Sequence, residues 1–131
     1  MQFQAFDAVV DPTNVAVVTT TEKVIISSNA IPMEYQTANV LIIGWCQFTT
    51  GTNCTTVAPK IRRGTGITGT LVNEANAETI LATAGSTEPY FCMATDVRAG
   101  ENQLQYSFTL TQAGADGNGN ALQAGIVVIV F

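Results

Sequence analysis

Gln103-Leu104-Gln105-Tyr106-Ser107-Phe108-Thr109-Leu110-Thr111 alternates without a break. Leu104, Tyr106, Phe108 and Leu110 fall on one parity, and Gln103, Gln105, Ser107, Thr109 and Thr111 on the other. Successive strand residues point to opposite faces, so this stretch predicts a strand with one face in a core and one in water. No 3.6-residue period fits it.

The same reading extends in both directions. Residues 15–20, 23–28, 39–49, 57–63, 90–97 and 121–131 are rich in Val, Ile, Thr and aromatic residues, which fit a pleated, half-buried surface. Gly, Asn and Pro fill the gaps between them, at 29–32, 50–53, 64–69, 84–89 and 113–120, where turns need them. Residues 3–10 are expected to add an N-terminal edge strand. Helical character is confined to residues 72–83, where Glu74, Ala75, Ala77, Glu78, Ile80 and Leu81 are interrupted by Asn73 and Asn76. The expectation is therefore an all-β, jelly-roll β-sandwich of about eight antiparallel strands with at most one short helix. An immunoglobulin-like sandwich competes with it, but Trp45 sits beside Cys46 rather than between Cys46 and Cys92, against the immunoglobulin order. The 131 residues show no composition break and no long linker, so one domain over 1–131 is expected, with 1–12 a contact arm or edge strand.

Hydrophobic residues make up 47% of the chain and charged residues only 11%, less than half the usual share of about 25%. So sparsely charged a surface favours a subunit covered by copies of itself or by a partner. The net charge of −5 and only five basic residues, Lys23, Lys60, Arg62, Arg63 and Arg98, argue against nucleic acid, whose phosphates need clustered cations. The N-terminus lacks the basic and apolar regions of a signal peptide, and the longest apolar stretch, residues 126–131, is far short of the roughly 20 residues that span a bilayer. Synthesis in a host cytoplasm and no membrane partner are the expectation.

Two strands carry apolar residues on both faces. Val40, Ile42 and Phe48 share one parity of residues 39–49, and Leu41, Ile43 and Trp45 the other; residues 126–131 are apolar throughout. A sandwich buries only the inner face of each sheet, so these strands need a second cover, either an internal loop or another subunit. Contiguous exposed apolar patches mark interfaces, which favours the subunit. Leu41, Ile43, Trp45, Ile126, Val128 and Val130 are the candidate contacts, with the parity of each strand left open.

No chemistry assembles. The chain has no histidine, which removes Ser-His-Asp and Cys-His nucleophilic mechanisms and the commonest zinc ligand. Cys46, Cys54 and Cys92 form no CxxC pair; they read as buried apolar thiols, although Cys46 and Cys54 could bridge a hairpin loop. Glu74 and Glu78, four apart, read as a solvated surface rather than a carboxylate pair. Asp96 and Glu101 read as turn and strand-end polar residues. Asp116-Gly117-Asn118-Gly119-Asn120 begins like a calcium loop, but Ala121 and Val127 stand where Gly and a bidentate Glu belong, so a hairpin tip is expected. The Gly64–Gly69 run lacks a following Gly-Lys-Ser/Thr and reads as a tight connection. Asn53-Cys54-Thr55 is formally a glycosylation sequon. No catalytic residue, metal or cofactor is expected, and no enzyme; a histidine-dependent cupin is argued down by composition alone.

One resemblance can be stated. Ile61-Arg62-Arg63-Gly64-Thr65-Gly66-Ile67-Thr68-Gly69-Thr70-Leu71-Val72 resembles the mid-chain strand and turn of small jelly-roll proteins of tailed bacteriophages. The closing pair, residues 106–112, a Gly/Asn turn and residues 124–131, is similar to the last hairpin of the tumour-necrosis-factor-like jelly roll. The likeness covers most of the chain as a pattern of strands; three cysteines and residues 72–83 depart from it. It implies a homotrimeric, non-enzymatic virion protein that decorates or cements a virus head by binding the major capsid protein. Phe3, Phe6, Val9 and Val10, ahead of Asp11-Pro12, are the candidate capsid contacts. The competing reading is a trimeric receptor- or glycan-binding head of a tail fibre or spike, with loops such as 113–120 at work.

Overall fold

The computed structural model describes residues 5–11, 14–17, 21–33, 36–72 and 80–131. They form an all-β jelly-roll sandwich with every strand pair antiparallel. In chain order the strands are β1 (Ala5–Asp11), β2 (Val15–Val17), β3 (Lys23–Ser27), β4 (Ile31–Pro32), β5 (Thr37–Thr49), β6 (Thr56–Arg63), β7 (Ile80–Leu81), β8 (Thr87–Ala99), β9 (Gln103–Leu104), β10 (Tyr106–Ala113) and β11 (Gly119–Val130). One sheet has the order β1-β11-β5-β8, with β2 also on β11; the other has the order β3-β10-β6-β7; β4 and β9 form a short ribbon.

The alternation of residues 103–111 survives with one break. Leu104, Tyr106, Phe108 and Leu110 are all fully buried, but Gln105 separates β9 from β10. The opposite parity is not simply solvated, because Ser107 and Thr109 are also fully buried. Ser107 Oγ donates to the Gly64 carbonyl at 2.6 Å and so accepts from Ser27 Oγ at 2.8 Å. Thr109 Oγ1 donates to the Glu22 carboxylate. The turn after β6 folds back on this face: Arg63 N–H donates to the Thr70 carbonyl and Val72 N–H to that of Ile61.

Between the sheets, Val40, Ile42, Cys46 and Phe48 of β5 and Ile126, Val128 and Val130 of β11 meet Val57, Ile61, Tyr106, Phe108 and Leu110 in one buried cluster. Gly44 stands on the inward parity of β5, where a Cβ would lie 2.6 Å from the Phe108 ring. The missing side chain is what lets that ring cross between the sheets.

Asp96 differs from its sequence reading as a turn residue. It lies inside β8, its side chain 8% exposed, and its carboxylate accepts from Arg63 Nε at 2.8 Å, Arg63 Nη2 at 2.6 Å and Tyr106 Oη at 2.9 Å. Burial pushes this carboxyl up, but the Arg63 and Tyr106 hydrogen bonds outweigh it and hold the group below its ordinary range. The charge of Arg63 ties β6 to β8, and Tyr106 ties in β10, so this cluster pins the two sheets together. Arg98 lies over the Tyr106 ring, 5.9 Å from its centre, and pairs with Glu101 at 2.9 Å.

Of the two readings of the N-terminus, contact arm or edge strand, residues 5–11 take the second: β1 pairs with β11 from Ala5↔Val130 to Asp11↔Ala124, so the sandwich begins before Asp11-Pro12. The weak helical reading of 72–83 falls largely on 73–79, outside the described residues; Ile80 and Leu81 pair with β6 as a strand. All three cysteines are free and buried, so Cys46 and Cys54 are not bridged.

Three outcomes are expected. Gly44→Ala drives a methyl into the Phe108 ring and costs about 1–3 kcal/mol, read as a lower thermal midpoint with unchanged far-UV dichroism. Burial raises the Cys46 thiol to about 12 and that of Cys92 to about 11, so neither reacts with a disulfide reagent at pH 8 until the protein is unfolded. Asp96, lowered in the fold, contributes stability that is present above the unfolded carboxyl value of about 3.9 and is lost as pH falls through its lower folded value. Asp96→Asn should therefore lower the midpoint at pH 7 yet lose less than the wild type between pH 5 and pH 2 (about the window of the lowered carboxyl).

Candidate interaction surface

The outer face of the β1-β11-β5-β8 sheet is built row by row from the pairing register. Phe6 stands opposite Ile129, Ile129 opposite Leu41, and Leu41 opposite Thr95. The next row is Ala8, Val127, Ile43 and Met93; the next is Val10, Gly125, Trp45 and Phe91. Gly125 makes room for the indole, since a Cβ there would lie 2.3 Å from Trp45 Nε1. Twelve positions in three rows carry no charge. Leu41, Ile43, Trp45, Val127 and Ile129, in the middle of the sheet, are half-buried. At the margins the cover runs out: Phe6, Val10, Phe91, Met93 and Val97 are 56–68% exposed. Among the described residues no segment lies over this face.

The other sheet presents the opposite chemistry. Glu22 accepts from Arg62 Nε at 2.6 Å and Nη2 at 2.8 Å, lies 3.9 Å from Lys60 Nζ, and also takes the Thr109 hydroxyl. Burial raises the Glu22 carboxyl, and the Arg62 and Thr109 bonds bring it below the ordinary range. Lys60 and Arg62 stand opposite Thr109 and Ser107 in the ladder. That face is finished with ion pairs and hydroxyls; the apolar one is not.

The candidate contacts divide between the two faces of their strands. Leu41, Ile43 and Trp45 lie on the outer face. Ile126, Val128 and Val130 do not: all three are buried in the sandwich core, and the outward residues of β11 are Val127 and Ile129. A register shift between Ala121 and Gln123 sets this parity, and nothing in an all-apolar stretch announces it. Phe6 and Val10 are on the outer face; Val9 packs inward against the core; Phe3 lies outside the described residues. Phe91, Met93 and Val97 were missed, although Tyr90, Cys92 and Ala94 alternate with them in a strand apolar on both parities. No cluster of His, Cys, Asp or Glu able to hold a metal occurs among the described residues. Asp116 ties the β10–β11 turn to the β5–β6 loop, accepting Asn53 Nδ2 at 2.6 Å while its N–H donates to the Thr52 carbonyl. Glu74 and Glu78 lie outside the described residues.

The chain matches no family model and no curated protein. Solved structures do match. The particle of infectious bursal disease virus Gx strain is similar over 98% of this chain, at 13% identity and a TM-score of 0.53. The VP2 subviral particle of infectious bursal disease virus is similar over 97%, at 12% identity and a TM-score of 0.51. This chain spans about a third of those proteins, 33% and 32% of their lengths. Eiger, a tumour necrosis factor from S. frugiperda, matches over 98% of this chain and 92% of its own, at 10% identity and a TM-score of 0.50. What these proteins share with the present chain is the fold, an antiparallel jelly-roll sandwich.

Proposed function

We propose that this chain is a non-enzymatic structural protein of a virus particle, assembled as a homotrimer through the outer face of β1, β11, β5 and β8. One observation carries the reading: an uncharged apolar face runs across all four strands, while the outer face of the opposite sheet is finished with ion pairs and buried hydroxyls. Apolar patches of more than a few hundred Å² are rare on isolated soluble proteins, and a surface of this kind associates with its like. The jelly-roll likeness to virus-particle proteins supports the virion setting; the threefold is what the resemblance of the closing hairpin to the tumour-necrosis-factor-like jelly roll implies. The finer role is that of a decoration or cement protein, bound to assembled major capsid protein. Phe6 and Val10, exposed on β1, are the residues of the proposed capsid or trimer contact. The lack of histidine and the engagement of the buried Glu22 and Asp96 carboxylates with Arg62 and Arg63 favour the non-enzymatic reading.

Light scattering at micromolar concentration should give a mass in multiples of three times 13.8 kDa, and Phe6→Asp with Val10→Asp should break the trimer without lowering helix-free dichroism or the cooperativity of unfolding. A wild-type monomer sinks the assembly reading. Mixed with undecorated capsids of the virus that encodes it, the protein should bind and raise the temperature at which they break, by an amount that grows with occupancy. An oligomer that ignores capsids and binds a soluble glycan transfers the proposal to a fibre head.

A further inference from the structure

The β1-β11-β5-β8 sheet ends in β8, a thirteen-residue edge strand. Its main-chain groups can be assigned to a side. Asn39 and Phe131 exchange both N–H···O bonds, at 3.0 and 2.9 Å, so Asn39 turns its main chain toward β11. Alternation then turns the even residues of β5 toward β8, as Thr50 N–H to the Ser86 carbonyl and Gly100 N–H to the Gln36 carbonyl also show. The β5–β8 register is unbroken from Thr37↔Ala99 to Thr49↔Thr87. The odd residues of β8 therefore aim their N–H and C=O groups out of the sheet, at the open edge. Those same residues, Phe91, Met93, Thr95 and Val97, carry their side chains on the apolar face.

Edge strands are ordinarily blunted by charge, bulges or brevity. None of these guards the odd positions of β8. Two of them are nevertheless closed: Pro89 has no N–H, and the Val97 N–H is taken by Asp96 Oδ1 at 2.9 Å. These two positions are equidistant from Met93. An antiparallel copy of β8 centred on Met93 would place Pro89 opposite Val97, Phe91 opposite Thr95 and Met93 opposite itself. Every closed position would face a closed position, every open one an open one, and the strand ends, Thr87 and Ala99, would also coincide. The three pairs between the closed positions would make six N–H···O bonds, with no donor stranded between Pro89 and Val97.

We infer that β8 is a self-complementary edge which joins two copies of this chain about a twofold axis at Met93, continuing one sheet through both. The occupant is a second copy because one edge-facing residue, Met93, is the midpoint both of the closed positions and of the whole strand, so self-pairing there sets closed against closed and end against end. This contact lies in the plane of the sheet, and the proposed trimer contact lies normal to it, so occupying one leaves the other available. Together they would link trimers into a two-dimensional lattice, the geometry a shell or its covering requires. The inference stands on the main-chain ladder and does not depend on the trimer.

Cysteine cross-linking reads the register directly. Hydrogen-bonded antiparallel partners have Cα atoms about 5.5 Å apart, within the 4.4–6.8 Å that a disulfide spans, whereas Phe91 and its copy would be about 13 Å apart. Under mild oxidation Met93→Cys should form a covalent dimer. Phe91→Cys and Thr95→Cys should not do so alone, but should when mixed. Self-coupling of Phe91→Cys or Thr95→Cys equal to that of Met93→Cys, or no coupling of Met93→Cys, overturns the proposal. Met93→Pro removes a donor at the edge and none from the β5 ladder; set against Met93→Ala, which controls for the side chain on the apolar face, it should still melt cooperatively and should reduce the assembly to free trimers while Met93→Ala does not. If the mass is unchanged, the edge is not the contact. The two readings fail separately: without the trimer, wild type is a dimer and Met93→Pro a monomer; without the edge, both are trimers. Filaments in place of closed pairs, with no Met93→Cys coupling, would assign β8 to a head-to-tail contact and overturn the twofold.

Discussion

The long ladder that β5 makes with its neighbours, continuous against β8 and bulged once against β11, is the constraint on which the rest depends. Thirteen consecutive residues of β5 pair with β8 and ten pair with β11. Side chains alternate across a strand, so a slip of one residue would exchange the inner and outer sets along the whole sheet. In the observed register Ile42, Cys46 and Phe48 go inward with Ile126 and Val128, and Gly44 lands where Phe108 needs space. The outward set follows from the same register: Leu41, Ile43 and Trp45 are drawn into line with Phe91, Met93, Val127 and Ile129. The core and the interaction face are thus two consequences of one pairing.

Charge reinforces that arrangement. With so few ionised groups, nearly every described one is engaged. Glu22 gathers Arg62, Lys60 and Thr109 over the outer face of β10 and β6, and Asp96 gathers Arg63 and Tyr106 between β6, β8 and β10. Both carboxyls are held below their ordinary range against the cost of burial, so each cluster stabilises the fold at neutral pH. The consequence for function is indirect but strong. Charges spent on finishing one sheet are absent from the other, and the apolar face is left without the polar residues that would keep it in water.

Asp96 also shows how structure and assembly meet. Its carboxylate anchors the sandwich through Arg63 and, at the same residue, closes the Val97 N–H at the open edge. The edge of β8 is therefore partly shaped by a core interaction, and its pattern of open and closed main-chain groups is a property of the folded strand rather than of any side chain on the surface.

Strand character was legible in residues 103–111, where alternation is complete, and in residues 39–49, where two apolar parities announced that both faces need cover. The lack of histidine and of metal spacing excluded whole classes of chemistry before any fold was known. Alternation and residue type by themselves determined that the chain is all-β, sparsely charged and without histidine chemistry, because both are local properties. Which parity of β11 faces outward, that Asp96 is an anchor, and that Phe91, Met93 and Val97 crown one face were decided only by tertiary structure. Each depends on which strands become neighbours and in what register, and on a bulge near Leu122 that shifts parity in a stretch apolar at almost every position. Those are non-local choices, set by packing across the sandwich, and an all-apolar strand holds no local record of them.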